Sequence, residues 1–162
     1  CRLVAIFDPR LAPLYDALDG PREDLDHYVD IVRELLAYRV LDVGGGTGCL
    51  ALRLAKQGVE VTVVDPARAS LEVAQAKPGA KLVRWIHGAA ADLTPLSADL
   101  AVMTGNVAQV FLEDDAWADV LLDERRLLKP GGHLVLETRR PECRAWEQWQ
   151  TEPVQVRVTT PA

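Results

Sequence analysis

A run of glycines and a later carboxylate are the residues of this chain with the clearest chemical potential. Gly44, Gly46 and Gly48 directly follow an apolar segment, and a backbone without Cβ atoms can turn sharply and approach a ligand closely. The helix predicted after them offers unpaired N–H groups to such a ligand. Asp65 follows about twenty residues after the turn, where a carboxylate can accept hydrogen bonds from both hydroxyls of a ribose. This spacing predicts a nucleoside-binding site.

Asp42 distinguishes between two classes of nucleoside ligand. The residues from Gly46 to Ala51 also satisfy the pattern G-x-G-x-x-A of dinucleotide-binding proteins, so an NAD-dependent oxidoreductase is an alternative. Asp42 stands just before the first glycine, where its charge would repel a pyrophosphate and attract a ligand that carries an ammonium and a sulfonium. The pattern therefore favours S-adenosylmethionine.

The elements that must position these groups alternate between strands and helices. Apolar and β-branched segments predict strands at residues 39–43, 59–65, 81–87, 99–103 and 133–138. Helical spacing predicts one helix directly after the glycines, a second that starts at Pro66, and a third that Asp114 caps and that a turn at 129–132 ends. Alternation of this kind predicts an α/β fold, a doubly wound, mostly parallel sheet with helices on both faces.

The two ends of the chain are predicted to add helices and one further strand. Residues 1–37 show two apolar helical stripes on either side of a break at 19–21, which predicts a helical lead-in. Near the other end, Trp146 and Trp149 fit a short helix, and residues 154–160 fit a sixth strand. The tryptophans serve either as packing residues or as a wall for a substrate.

Composition limits the class of protein and its partners. The chain has 162 residues, 49% of them hydrophobic, which suits a single well-buried domain. There is no long apolar run and no basic-then-apolar leader, and the three cysteines lack the spacing of a disulfide framework or a zinc site. We therefore expect a cytoplasmic protein without a membrane partner. A net charge of −6 without a basic cluster argues against nucleic acid as a partner.

Three motifs together resemble the class I S-adenosylmethionine-dependent methyltransferases. They are Asp42-x-Gly44-x-Gly46-x-Gly48, Asp65 at the end of the next strand, and the segment LKPGGHLVLE at 128–137. The resemblance extends from about Tyr15 to Trp149. It implies a Rossmann-like fold in which residues 1–37 form a lead-in or cap and residues 39–162 form the cofactor-binding core. The resembled fold also has a seventh, antiparallel strand that this sequence does not supply.

The resemblance also implies a set of residues around the cofactor. Tyr15 and its neighbour Asp16 match a Tyr-Asp pair that folds over the mouth of the site, although a helix that simply packs Tyr15 on the sheet is equally compatible. The exit of the third strand would contact adenine. The exit of the fourth strand would contact the methionine part, or would be merely a structural turn. The full set of candidate cofactor-binding residues is Tyr15, Asp42, Gly44, Gly46, Gly48, Asp65, Pro66, Ala89, Ala90, Thr104 and Asn106.

One position departs from the resembled pattern. The carboxylate that would accept a hydrogen bond from the adenine amine falls on Ala89, so only backbone groups remain at Ala89 and Ala90. Asp92 follows three residues later and would replace that carboxylate only in a remodelled loop. The departure also keeps open a truncated or degenerate domain that binds cofactor weakly and serves as an interaction module without turnover.

The predicted reaction is the transfer of a methyl group from S-adenosylmethionine to a small-molecule acceptor, with S-adenosylhomocysteine as product. In-line displacement at a sulfonium needs mainly the correct placement of donor and acceptor. A general base would be useful only for an acceptor that must lose a proton. The chain has three histidines, at positions 27, 87 and 133, but each fits a solvated or core residue better. We therefore predict no catalytic residue and no metal, and the oligomeric state stays open.

Overall fold

Five parallel strands form the centre of the fold. The structure is a computed structural model and describes residues 8–144 and residue 147, so the predicted helix at Trp146 and Trp149 and the predicted strand at 154–160 lie outside it. The strands are β1 (Arg39–Val43), β2 (Glu60–Asp65), β3 (Val83–His87), β4 (Ala98–Met103) and β5 (Leu128–Leu136). They lie in the order β3-β2-β1-β4-β5, and each neighbouring pair is parallel. The predicted Rossmann-like sheet is confirmed.

Helices cover both faces of this sheet. They are α1 (Tyr15–Asp19), α2 (Asp26–Glu34), α3 (Cys49–Ala55), α4 (Arg68–Ala76) and α5 (Asp114–Leu127). Successive side chains of a strand point to opposite faces, and the core is divided accordingly. Val40 and Val63 pack with α2, α3 and α4 on one face, whereas Leu41 and Val64 pack with α5 on the other. Burial on both faces explains why these strands are almost continuously apolar.

The order of the strands creates a crevice beyond the carboxyl ends of the neighbouring strands β1 and β4. From β1 the chain continues outward to β2 and β3, then returns to the other side of β1 for β4 and β5. In open α/β sheets, ligands bind at this switch point, beyond the carboxyl ends of the strands. The glycine turn starts there, and its first N–H group, that of Gly44, donates to the carbonyl oxygen of Val64 at 2.8 Å.

Several predicted element boundaries are wrong by a few residues. Helix α4 begins at Arg68 rather than Pro66, and α5 begins at Asp114 without a side-chain cap. Strand β5 begins at Leu128, so residues 129–132 lie in a bulge of this strand rather than in a turn before it. The bulge arises because Leu128 pairs with Ala98 while His133 pairs with Leu100, which leaves four residues opposite one.

The helical lead-in is present in the described residues, but its first apolar stripe is not buried. Helices α1 and α2 are separated by Gly20 at φ +68°, which confirms the predicted break. Tyr15 is 37% exposed and Leu18 is 56% exposed, so α1 does not pack an apolar face on the sheet. Helix α2 does, through Tyr28, Val29 and Val32.

Glu124 is a buried carboxyl group on the inner side of α5. It is 1% exposed, and neither of its carboxyl oxygens has a hydrogen-bond partner among the described residues. Burial, with the nearby charge of Asp123 as a smaller cause, raises the pKa of Glu124 from 4.5 to about 7. The group is therefore largely protonated in the folded protein at pH values at which the unfolded chain is ionised.

This shift predicts a loss of stability as the pH rises. Because the folded pKa is the higher one, the contribution of Glu124 is fully present below about pH 4.5 and is lost as the pH rises to about 7. The loss is about 3 kcal/mol. Glutamine at position 124 cannot ionise. We therefore expect the free energy of unfolding in urea to decrease between pH 4 and pH 8 by about 3 kcal/mol less in Glu124→Gln than in the wild type.

A matched control tests whether burial is the cause. Glu72 is an exposed glutamate in the middle of α4, and Glu72→Gln should keep the pH dependence of the wild type. If Glu124→Gln retained the full loss of stability between pH 4 and pH 8, the burial of a protonated carboxyl at this position would be contradicted.

Candidate functional site

A cavity of about 630 Å³ lies at the carboxyl ends of the central strands. Its walls come from the glycine turn, the end of β2, the loops after β3 and β4, the lead-in and α5. Among the residues predicted for the site, those that line it are Tyr15, Gly44, Gly46, Asp65, Pro66, Ala89, Ala90 and Thr104. Asp42, Gly48 and Asn106 are not among its lining residues. The cavity has the size of a small-molecule or cofactor site.

Asp65 is held rigidly in the wall of this cavity. Its Oδ2 accepts a hydrogen bond from the N–H of Gly46 at 2.8 Å, and its Oδ1 accepts one from the N–H of Ala67 at 2.6 Å. The residue is 5% exposed. Burial raises the pKa of Asp65, and the two backbone hydrogen bonds limit that rise. Each carboxylate oxygen keeps a lone pair for a ligand hydroxyl.

Asp42 lies beneath the glycine turn rather than in the cavity. It is fully buried, and its oxygens have no hydrogen-bond partner among the described residues. A Cβ atom at Gly45 would lie 2.8 Å from its Oδ2, so Asp42 packs against the underside of the turn. Burial and then the charge of Asp65 raise the pKa of Asp42 to about 7, which Arg22 opposes. Asp42 can therefore act on a ligand only across the turn, and only when it is ionised.

The three predicted glycines have different surroundings. A Cβ atom at Gly44 would lie 2.6 Å from Cγ2 of Val107, and one at Gly48 would lie 2.9 Å from Cζ3 of Trp85. A Cβ atom at Gly46 would have no atom nearer than 4.0 Å. All three have positive φ angles, a backbone conformation that favours glycine. Only Gly46 also presents an open approach to its backbone, whereas Gly48 makes room for the half-buried ring of Trp85.

The lead-in is attached to the glycine turn by polar contacts. Asp16 of α1 accepts a hydrogen bond from Oγ1 of Thr47 at 2.5 Å and forms an ion pair with Lys77. Lys77 also donates to the carbonyl oxygen of Thr47 at 2.7 Å. Tyr15 lines the cavity beside this attachment. The lead-in therefore forms part of the cavity wall.

Arg22 is a cavity residue that sequence reasoning missed. It follows α1, adopts a left-handed conformation at φ +52° and lines the cavity. Its guanidinium forms ion pairs with Asp24 at 2.9 Å and with Asp19 at 3.3 Å. No motif in the sequence indicates this position, because only the packing of the lead-in brings Arg22 to the cavity.

The turn after β4 is held by a carboxylate of β5's carboxyl end. Glu137 accepts hydrogen bonds from the N–H groups of Gly105 at 2.7 Å and Asn106 at 3.2 Å. Burial and a hydrogen bond with Glu137 raise the pKa of Tyr28 in α2, so this carboxylate also contacts the lead-in. Thr104 lines the cavity, while Asn106 takes a left-handed conformation at the edge of the turn.

The loop after β3 contributes a methyl group and backbone to the cavity. Ala89 and Ala90 line the cavity, and the Oδ2 atom of Asp92 accepts a hydrogen bond from the N–H of Ala89 at 2.9 Å. Asp92 therefore stabilises a short 3-10 turn in its own loop and is not a lining residue of the cavity. Arg126 of α5 donates to the carbonyl oxygens of Leu93 at 2.5 Å and of Ala90 at 3.3 Å, which fixes this loop to α5.

No histidine lines the cavity, and the described residues form no cluster suited to a metal ion. His27, His87 and His133 are exposed, and none of them lines the cavity. No group of three or more histidine, cysteine, aspartate or glutamate residues in the described part of the chain is arranged to hold a metal ion. Within residues 8–144, no helix has the length and apolar character needed to cross a membrane.

Comparison with known proteins assigns the family. The family model of a methyltransferase domain matches residues 40–132. This range includes the glycine turn, Asp65 and the loops after β3 and β4. The chain belongs to the class I S-adenosylmethionine-dependent methyltransferases. This membership confirms the resemblance of the motifs, and nothing in the comparisons supports the NAD-dependent alternative.

Three relatives show the extent of the similarity. The chain is 31% identical over 141 residues to a cypemycin N-terminal methyltransferase of a Streptomyces species. The matched region covers 85% of this chain and 58% of that protein. The methyltransferase CcbJ of Streptomyces caelestis has a TM-score of 0.65 at 32% identity, over 73% of this chain and 50% of the other. The S-adenosylmethionine-bound amino pentose methyltransferase CalS10 of Micromonospora echinaspora has the same TM-score at 28% identity, over 74% and 52%. The chain thus spans about half the length of these methyltransferases.

Proposed function

We propose that the chain binds S-adenosylmethionine in this cavity and transfers its methyl group to a small-molecule acceptor. The position of Asp65 carries the proposal: a buried carboxylate in the cavity wall, with one oxygen fixed by the N–H of Gly46 and the other by the N–H of Ala67. The ribose of a nucleoside offers two hydroxyl donors that such a group can accept. The cofactors of methyltransferases in the family contain this ribose.

The other cavity residues fit the remaining parts of the cofactor. The open backbone at Gly46 allows a close approach of the ligand. Arg22 supplies a cation for the carboxylate of the methionine part, since guanidinium binds carboxylates well. Asp42, beneath the turn, favours a ligand with positive charge above it when its buried carboxyl group is ionised. Pro66 and Ala67 offer apolar surface for the adenine ring.

The residues of the chain act mainly by position. S-adenosylmethionine supplies a methyl group on a sulfonium, which an acceptor can displace in line. Asp65 and the glycine turn hold the nucleoside end, and Thr104 and Gly105 form the neighbouring wall, fixed through Glu137. Because donor and acceptor need only contact and alignment, proximity supplies much of the rate. No side chain of the described residues is assigned to move a proton.

The acceptor side of the cavity is apolar. Val107, Val110 and Phe111 line it, and Phe111 packs near Trp117 with ring centroids 6.0 Å apart. Such a surface suits the carbon skeleton of a small organic acceptor. The similarity to an amino pentose methyltransferase and to a cypemycin N-terminal methyltransferase supports an acceptor of this kind. The cytoplasmic location and the single-domain organisation of residues 1–162, with 1–37 as a cap, stay predictions.

Two measurements test the proposed function. We expect calorimetry to detect saturable binding of S-adenosylhomocysteine and no comparable binding of NAD. We then expect methyl transfer from labelled S-adenosylmethionine to at least one member of a panel of amine, hydroxyl and carboxylate acceptors. A folded protein that binds S-adenosylhomocysteine but methylates none of them would favour an interaction module instead. A folded protein that does not bind S-adenosylhomocysteine would contradict the proposal.

A further inference from the structure

The loop after β3 leaves the adenine amine without an acceptor side chain, if the cofactor binds as proposed. This loop begins next to Asp65, because the N–H of Gly88 donates to the carbonyl oxygen of Asp65 at 3.2 Å. A ribose held by Asp65 therefore directs its base toward Ala89, which carries only a methyl group. The Asp92 carboxylate accepts from the N–H of Ala89. An amine that leaves water needs an acceptor.

Asp123 lies in the cavity wall next to this loop. It comes from α5, lines the cavity and has a side chain that is 24% exposed. Its Oδ1 atom is 3.3 Å from Nη2 of Arg126, and the same nitrogen lies 3.3 Å from the carbonyl oxygens of Ala90 and Ala91. One guanidinium nitrogen therefore connects Asp123 to the backbone of the loop at Ala90 and Ala91.

Arg126 holds this carboxylate and the loop in one arrangement. Its Nη1 atom donates to the carbonyl oxygen of Leu93 at 2.5 Å, while Nη2 contacts both the loop and Asp123. A planar guanidinium with several fixed partners leaves little freedom to any of them. Asp119, one helical turn away, also lines the cavity but has no such partner among the described residues.

We propose that Asp123 accepts a hydrogen bond from the exocyclic amine of the cofactor's adenine and so replaces the carboxylate that position 89 lacks. The assignment rests on the proposed function. It makes Asp123 a specificity-determining residue, since only a base with an amine at this position can donate to it. A base with an oxo group there would place two acceptors against each other.

The test compares two ligands with the full chain. S-inosylhomocysteine carries an oxo group where S-adenosylhomocysteine carries the amine. A hydrogen bond to a charged acceptor is worth about tenfold or more in affinity, so calorimetry should show the wild type to favour S-adenosylhomocysteine by at least that factor. Asp123→Ala should weaken S-adenosylhomocysteine by about tenfold and leave S-inosylhomocysteine no weaker. Adding Ala89→Asp to Asp123→Ala should restore the preference.

Two control variants separate this role from a structural one. Asp119→Ala and Asp92→Ala should both keep the preference of the wild type for S-adenosylhomocysteine. The assignment is overturned if Asp123→Ala weakens both ligands equally, or if either control abolishes the preference. Were the folded wild type to bind neither ligand, the proposed function itself would fail. Binding of S-adenosylhomocysteine with a preference that Asp123→Ala leaves unchanged would overturn only the assignment of Asp123.

Discussion

Replacing Asp65 by alanine is expected to weaken the binding of S-adenosylhomocysteine by on the order of 100-fold or more. A hydrogen bond to a charged group contributes about 1.5–3 kcal/mol, and the ribose would lose two of them. The same change also leaves the N–H groups of Gly46 and Ala67 without the acceptor that now orients them. Calorimetry of the variant against the wild type measures the effect directly.

Asp99 provides a matched control for this experiment. Like Asp65, it accepts hydrogen bonds from two backbone N–H groups, those of Tyr38 at 2.8 Å and Arg39 at 2.7 Å. These groups lie at the start of β1, at the amino ends of the strands, and the cavity lies at the carboxyl ends. Asp99→Ala should therefore lower the stability of the fold and leave the affinity for S-adenosylhomocysteine unchanged. Equal losses of affinity in the two variants would show that Asp65 acts only through the fold.

Gly48→Ala is expected to destabilise the protein by about 3 kcal/mol. Gly48 has a φ angle of +77°, and this backbone conformation costs a residue with a Cβ atom roughly 1–2 kcal/mol. The new methyl group would also lie against the Trp85 ring and 3.2 Å from Cβ of Ala74. Overpacking of a buried site adds about 1–3 kcal/mol. The free energy of unfolding in urea measures the sum.

Gly58→Ala separates the backbone cost from the packing cost. Gly58 has a φ angle of +86°, and a Cβ atom there would have no neighbour within 4 Å. This variant should lose only about 1–2 kcal/mol, the backbone part alone. If both variants lost the same free energy of unfolding, the contact with Trp85 would add no packing cost at position 48. In that case Gly48 would be needed for its backbone conformation alone.

Most of the fold could be predicted from local pattern. Strands buried on both faces must be apolar over their whole length, and the helices between them must repeat apolar residues at helical spacing. That pattern indicates the five strands and their mostly parallel arrangement, whereas the order of the strands comes from the structure. Asp65 could also be placed, because it ends the next apolar strand, about twenty residues after the glycine turn. Boundaries such as the start of β5 at Leu128 could not, since they depend on pairing with β4.

The roles of individual site residues were decided by contacts between distant parts of the chain. Glycine at position 48 looks the same in sequence whether it faces a ligand or Trp85, and only the packing of β3 against the turn distinguishes the two. The sequence predicts Asp42 as a charge beside the ligand. In the structure its side chain lies beneath the glycine turn, where burial raises its pKa. Arg22 and Asp123 carry no local motif. They reach the cavity because the lead-in and α5 fold against elements far away in sequence, and those long-range contacts are a property of the tertiary structure.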